Sequence, residues 1–296
     1  LKEYNGAVML HVNGRPVYGM AMMPEPYASD AAITRSCRDF TAAGVDIYSE
    51  IFWSWMTPQD GCHGWWLAEG EYDFDRIDAR IQAIIEANPQ ALILPRLKLN
   101  PPAWWLKAHP DEITVDANGK RSVQVSLASE LWADAYDRML RDIIRHMEAS
   151  DYAPHIFGYH PAGGSSSEWF WWGPGGSVAD AHDYSPAAVK RWRAWLAERY
   201  EGDVEALRRA WGDPQATFDT AMPTVPADTA ARHHGVFRHP VEGRKTIDYR
   251  RFLSDMVSSN IIRSCRIVKE ETNGRKIAGV FYGYSMYCHT MSGFQG

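Results

Sequence analysis

The chain has no stretch of about 18 uncharged apolar residues, so nothing in it reads as a membrane-spanning helix. It has no basic excess: 31 Lys and Arg stand against 37 Asp and Glu, for a net charge of −6 and a pI near 6.0. Such a chain lacks the electrostatic footprint that recruits phosphate backbones, which argues against nucleic acid and for a neutral small molecule as partner. Cysteine is scarce and scattered. Cys37, Cys62, Cys265 and Cys288 form no CxxC pair and have no histidine pair at zinc spacing, so free and mostly buried thiols are expected. No basic segment followed by an apolar run opens the sequence at Leu1. The compartment therefore stays open, with the cytoplasm favoured over secretion or a periplasm. Nor does a Gly-rich turn follow the first expected strand, where an open nucleotide-binding sheet needs one; that position reads Met22-Met23-Pro24-Glu25-Pro26.

What the chain does have is size and aromatic content. Its 296 residues, 45% hydrophobic and 23% charged, suffice for a large core. The 13 tryptophans, beside 14 Tyr and 10 Phe, cluster as Trp53, Trp55, Trp65, Trp66, Trp104, Trp105, Trp169, Trp171 and Trp172. Flat rings with an N–H handle suit stacking on the apolar faces of sugar rings. The alternative for each of them is core filling.

Alternating residues from Val8 to Val17 around Asn13-Gly14 predict an N-terminal β-hairpin, a cap over residues 1–16. Short apolar runs then alternate with segments of helical period, the pattern of βαβ units on a parallel sheet. Strands are expected at Val17 to Met22, Val45 to Phe52, Ala91 to Leu97, His155 to Tyr159 and Ile277 to Tyr284. Helices are expected at Asp30 to Ala43, along Ile77, Ile81, Ile84 and Ile85, from Ala128 to Met147, from Pro186 towards Tyr200, and from Ile247 to Glu271. An irregular insertion is expected at about 212–246.

Polar and aromatic residues crowd the C-terminal ends of these strands: Glu25 after the first, Glu50 and Trp53 at the second, Arg96 and Lys98 at the third, His160 and Glu168 after the fourth, Tyr282 and Tyr284 at the fifth. A (β/α)8 TIM barrel builds its active site at that rim, so residues 17–296 read as the first part of such a barrel, with about five strand-helix units visible.

Glycoside hydrolysis uses two carboxyl groups, one to protonate the leaving oxygen and one to attack or to activate water. Glu168, in Gly163-Gly164-Ser165-Ser166-Ser167-Glu168-Trp169-Phe170-Trp171-Trp172, is the candidate acid, because it follows a strand end and the aromatics around it can exclude water. Its plain alternative is a solvated surface charge. Glu50, Trp53, Arg96, His160, Trp169, Tyr282 and Tyr284 are the candidate substrate contacts. Arg96 and Lys98 alternate and would share a face, with Glu50 a natural ionic partner. Structural pairing and substrate contact weigh equally there, and for His160 a backbone-satisfied histidine is the alternative. Tyr287-Cys288-His289 and His233-His234 lack a second ligand pair, so no metal site is expected.

The run Leu99-Asn100-Pro101-Pro102-Ala103-Trp104-Trp105-Leu106, then His109-Pro110-Asp111-Glu112 and Asp116-Ala117-Asn118-Gly119, resembles a stretch of the family 42 β-galactosidases. Trp195-Leu196-Ala197-Glu198-Arg199-Tyr200, Ala206-Leu207 and Ala210-Trp211-Gly212 resemble a later one. The resemblance, over roughly residues 99–212, implies a retaining exo-glycosidase on a large barrel, with its acid/base after strand four and its nucleophile after strand seven, beyond Gly296. It implies no cofactor, an oligosaccharide or glycoside substrate, and hints at a homotrimer. The departures are Ser167 where the clan carries Asn, Ser122 to Ser126 where a substrate-contacting Arg is expected, and the absence of the family's zinc cysteines. A barrel stopped at its fifth strand exposes sheet edges, so the remaining strands are expected from a continuation of the chain. The competing reading is a carbohydrate-binding barrel without catalysis; a metal-dependent barrel hydrolase would need a His/Asp cluster at the strand ends.

Overall fold

In the computed structural model the described residues are 1–12, 14–25, 28–54, 64–164, 168–169, 182–230 and 238–282. They divide into two compact units. The first holds Leu1–Leu99, Arg138–Ala162 and Ser264–Gly279; the second holds Asn100–Asp137, Gly163–Arg263 and Val280–Gly296.

The first unit carries the sheet. Barrel strand one is Ala21–Met22; strand two is Ile47–Tyr48 resumed as Ile51–Trp53; strand three is Leu92–Ile93 resumed as Arg96–Lys98; strand four is Gly158–Ala162 and strand five Ile277–Ala278. Each pairs in parallel with the next in sequence order. Across the interruptions the ladder is kept by Leu94 N–H donating to Tyr48 O at 2.8 Å and Arg96 N–H to Glu50 O at 2.7 Å. A doubly wound sheet would reverse its strand order at some point. This one does not, and with helices Asp30–Ala42, Asp75–Ala87, Glu130–Ala149 and Arg244–Glu271 between successive strands the winding is that of a partial (β/α)8 barrel.

Local sequence explains most of these elements. Ser29 caps helix Asp30–Ala42 by accepting from Ala32 N–H, Asp30 lies in the positive first turn, and Gly44, with φ +84°, turns the chain into strand two. The spacing of Ile77, Ile81 and Ile84 buries one stripe of helix Asp75–Ala87. Fully burying side chains of this size contributes about 1.5–3 kcal/mol each. Met139, Leu140, Ile143, Ile144 and Met147 do the same from the neighbouring helix.

The strand boundaries differ from expectation in places. Strand four begins at Gly158, because Pro154 draws Ala153–His155 into a 3-10 turn. Strand one is only Ala21–Met22, since Val17 belongs to the N-terminal sheet. That sheet has three antiparallel strands, Lys2–Tyr4, Ala7–Val12 and Arg15–Val17, so the expected hairpin is preceded by another that turns at Asn5-Gly6, both at positive φ. The described fifth strand is Ile277–Ala278, and residues 283–284 lie outside the described set.

Strand five lies against Gly158. A Cβ there would sit 2.8 Å from Ile277 O and closer still to Ile277 Cγ1. Gly158→Ala must push the two strands apart and is expected to destabilise by about 2–3 kcal/mol, read from the urea midpoint of unfolding.

The second unit is mainly helical, with helices Ala103–Ala108, Pro186–Arg199, Val204–Trp211 and Pro226–Ala230 and the antiparallel pair Ile113–Val115 with Arg121–Val125. Most of the resemblance motif lies in this unit and much of it is structural. Asp116 Oδ1 accepts from Asn118 N–H and Lys120 N–H to form the hairpin turn, and Gly119 takes φ +79°. Trp105 packs on Trp132 with ring centroids 5.0 Å apart.

Candidate functional site

The register of strands two to four fixes which residues share a face. Lys98 is paired with Trp53 and Ala162, and Arg96 with Ile51 and His160. Paired residues on parallel strands project to the same side, and alternation puts Arg96 and Lys98 together, so Trp53, Arg96, Lys98 and His160 line one face at the C-terminal strand ends. The opposite face carries Phe52 and Leu97, both buried. The first face is the polar one, as expected of the inner rim of a barrel.

Arg96, Lys98 and His160 are buried and Trp53 is half-buried. The Lys98 ammonium lies 4.2 Å from the centre of the Trp53 ring, a cation–π contact that holds Trp53 from one side. Arg96 Nη1 donates to Met23 Sδ at 3.0 Å. Burial, with the Arg96 charge beside it, lowers His160 to about 4. At neutral pH its ring is uncharged, with one N–H donor and one acceptor nitrogen, which suits hydroxyl groups.

Glu50 does not pair with Arg96 or Lys98 as expected. It alternates with Ile51 and Trp53, so it projects with Phe52 towards the helices, where Arg80 of helix Asp75–Ala87 approaches with Nε 3.5 Å from Oε1. Arg80 also donates to Ala28 O at 2.9 Å and lies 3.2 Å from Asp30. Glu50 is fully buried, and neither carboxylate oxygen accepts a hydrogen bond among the described residues. Burial raises it to about 8, against the opposing pull of Arg80 and helped by Asp30 and Glu25. The 3.5 Å contact is too long for a hydrogen bond, so burial prevails and the neutral acid is the form held at pH 7. Arg80 was missed in the sequence; its place beside Ile81 on an apolar stripe was the available sign.

A raised carboxyl favours the folded state fully below the ordinary carboxylate range, and that advantage is lost as pH rises towards 8. Glu50 accounts for at most about 5 kcal/mol of such loss. His160 has the opposite sense: its contribution is present above the ordinary histidine range and is lost as pH falls towards 4. Below about pH 6.5, where the histidine opposes Glu50, urea midpoints should therefore not fall; they should fall between about pH 6.5 and pH 8.5, and Glu50→Gln should remove that fall.

In the second unit, Glu168 is half-buried, six residues beyond Ala162 in sequence. Trp169 is 3% exposed, and its indole lies on Gly163 and beside Tyr136, with ring centroids 5.8 Å apart. The residue expected to offer a stacking face is thus packed into its own unit. Tyr282 is exposed, with its OH 3.5 Å from Ser254 Oγ, and Tyr284 lies outside the described residues, as do Trp55, Trp171, Trp172, Ser167, Cys62, Tyr287, Cys288, His289 and the pair His233-His234. Of the other clustered tryptophans, Trp65, Trp66 and Trp105 are core residues and Trp104 is half-buried. Cys37 and Cys265 are free thiols. No group of three or more His, Cys, Asp or Glu able to hold a metal occurs among the described residues, and none of their helices is long and apolar enough to cross a membrane.

A family model of glycoside hydrolase family 42, described as beta-galactosidase, matches residues 22–294. The chain belongs to this family. It is 24% identical over 255 residues to beta-galactosidase LacZ of Heyndrickxia coagulans, covering 83% of this chain and 34% of that protein. It is 25% identical over 273 residues to beta-galactosidase BgaA of Thermus sp, covering 90% and 38%. The chain thus spans about a third of the length of the curated relatives it matches. Among solved structures, the beta-galactosidase of the psychrophilic Marinomonas ef1 aligns with a TM-score of 0.62 at 19% identity, covering 87% of this chain and 36% of that one. The catalytic domain of beta-amylase from Paenibacillus polymyxa aligns with a TM-score of 0.69 at 14% identity, covering 88% and 65%. At these identities the two structures bear on the fold, which they share with the family 42 chain described above.

Proposed function

We propose that this chain carries the acid/base half of a retaining exo-acting glycoside hydrolase of the β-galactosidase type. The observation that carries the reading is Glu168, the carboxylate that follows strand four in a chain of this family. Its carboxyl proton passes to the glycosidic oxygen as the bond to the anomeric carbon breaks, while a second carboxylate attacks that carbon. Glu168, now ionised, takes a proton from the water that releases the sugar. We place the second carboxylate outside residues 1–296, and the remaining barrel strands with it. Glu50 is a poor alternative, since it lies beneath the helices as a neutral acid.

Taken by itself, the inner face of the first unit offers groups that suit sugar hydroxyls. Arg96 donates, and neutral His160 both donates and accepts. Trp53, steadied by Lys98, offers apolar surface. The substrate is an oligosaccharide or glycoside, and no step needs a cofactor. The test is hydrolysis of a β-galactoside by the full protein and by Glu168→Gln. Comparable turnover by the two would remove Glu168 from the mechanism, and sugar binding without any turnover would favour a binding-only barrel.

A further inference from the structure

We propose that Trp169 is a positioning residue for Glu168, seated on Gly163 and Tyr136, an inference that rests on the reading of Glu168 as the acid/base.

Four described residues other than glycine have positive φ: Asn5, Trp169, Glu201 and Asn273. Three of them are exposed and directly precede a glycine, at Asn5-Gly6, Glu201-Gly202 and Asn273-Gly274, where a tight turn explains the conformation. Trp169 is the exception. It is bulky, buried and has φ +55°, a conformation that crowds its Cβ against the backbone and persists only where the surroundings over-determine it.

The surroundings are specific. Trp169 N–H donates to Gly163 O at 3.0 Å, closing the chain between the two residues. The indole lies so close over Gly163 that a Cβ there would come within 2.8 Å of Cη2 and Cζ3. Tyr136 packs against the ring at an interplanar angle of 54°. Asn100 Nδ2 donates to Gly164 O at 3.2 Å, fixing the next residue at φ +75°. Burial of the indole offsets the backbone strain, so the peptide joining Glu168 to Trp169 is held by a side chain and not by regular secondary structure. Glu168 lies one peptide from that anchor, and its direction follows from the anchor's position. The glycine at 163 is explained as well: only a residue without Cβ leaves room for the ring.

Proton donation matters when the leaving group is poor and hardly at all when it is good. A misplaced Glu168 should therefore slow phenyl β-D-galactoside far more than 2,4-dinitrophenyl β-D-galactoside. The ratio of kcat/KM for the two substrates, measured in one preparation of the full protein, is independent of the fraction that is folded. Trp169→Ala is expected to lower that ratio by about 10²-fold, in the direction set by Glu168→Gln, since a misplacement near 1 Å costs that much. Trp169→Phe should recover most of the loss, and Gly163→Ala, which presses on the ring from the other side, should reproduce part of it. The same ratio in Gly163→Ala and Trp169→Phe serves if Trp169→Ala does not fold. Equal slowing of both substrates in the Trp169 and Gly163 variants, with the selective loss still present in Glu168→Gln, would overturn the positioning role alone. Absence of the selective loss in Glu168→Gln would overturn the reading of Glu168 and the positioning role with it.

Discussion

Glu168→Gln in the full protein is expected to lower kcat/KM for phenyl β-D-galactoside by roughly 10³-fold, within the 10²–10⁴-fold that general acid catalysis contributes. Glutamine keeps the shape of the side chain and removes the proton. A phenolate leaving group needs that proton as the bond to the anomeric carbon breaks, whereas a dinitrophenolate leaves without it, so the first step for the activated substrate should be slowed by less than about 10-fold. In the proposed mechanism release of the sugar also needs Glu168, as base for the incoming water, so kcat on the activated substrate should fall more than kcat/KM. A surface carboxylate or a purely structural one would move both substrates together. The pattern across substrates carries the conclusion here, and the loss itself does not.

Asp248→Ala is expected to destabilise the fold by about 3–5 kcal/mol, the cost of removing one partner from a buried charged cluster. Asp248 is fully buried near the start of helix Arg244–Glu271. Its Oδ2 accepts from Tyr200 OH at 2.6 Å and from Trp211 Nε1 at 3.0 Å, and Oδ1 faces Arg244 Nε at 3.3 Å and Arg199 Nε at 3.8 Å. Tyr200 ends helix Pro186–Arg199 and Trp211 ends helix Val204–Trp211, so one carboxylate joins both to the start of helix Arg244–Glu271, a start that lies in the same unit. Removing it strands two donors and two guanidinium groups, which water reaches only in part. Asp248→Asn retains an acceptor for one donor and should cost less. Urea unfolding monitored by tryptophan fluorescence measures both, and the stacked rings of Trp192 and Trp211, 6.2 Å apart, lie beside the change.

The Asp248 cluster also shows what a sequence motif can conceal. Tyr200 and Trp211 belong to the stretch that resembles family 42, and in the structure both serve a structural carboxylate that the motif does not include. Family membership was legible in those residues while their role was not, because Asp248 lies 37 positions from Trp211 and 48 from Tyr200. The barrel winding was legible for a simpler reason: short apolar strands, helices with an isoleucine stripe and a turn at Gly44 are local features that obey their local periods. Glu50 was not legible in the same way. Whether it faces the site or the helices depends on the alternation set by the pairing of Ile51 with Arg96, and a shift of one residue reverses the answer. The N-terminal sheet hid its first turn because Lys2–Tyr4 is exposed along its length and shows no alternation to read. The tryptophan count suits ligand surface and core filling alike; Trp65, Trp66, Trp105, Trp132, Trp169 and Trp192 are buried, so much of it is core. Arg96, Lys98, His160 and Trp53 emerged on one face as their strand-end positions suggested, since two-residue spacing along a strand survives small errors in its limits.

The measurement that bears most directly on the role of Glu168 is the reaction of Glu168→Gln with azide and 2,4-dinitrophenyl β-D-galactoside. In a retaining enzyme the second carboxylate still displaces the activated leaving group, and the covalent sugar then waits for a base that is missing. Azide needs no base to attack the anomeric carbon, so it should restore turnover and yield β-galactosyl azide, identified by the anomeric coupling in its proton NMR spectrum. Formation of that product by the variant, and not by the parent protein, is the predicted result. Failure of azide to accelerate the variant, or a product of inverted α configuration, would contradict the assignment of Glu168 as the acid/base of a retaining glycosidase.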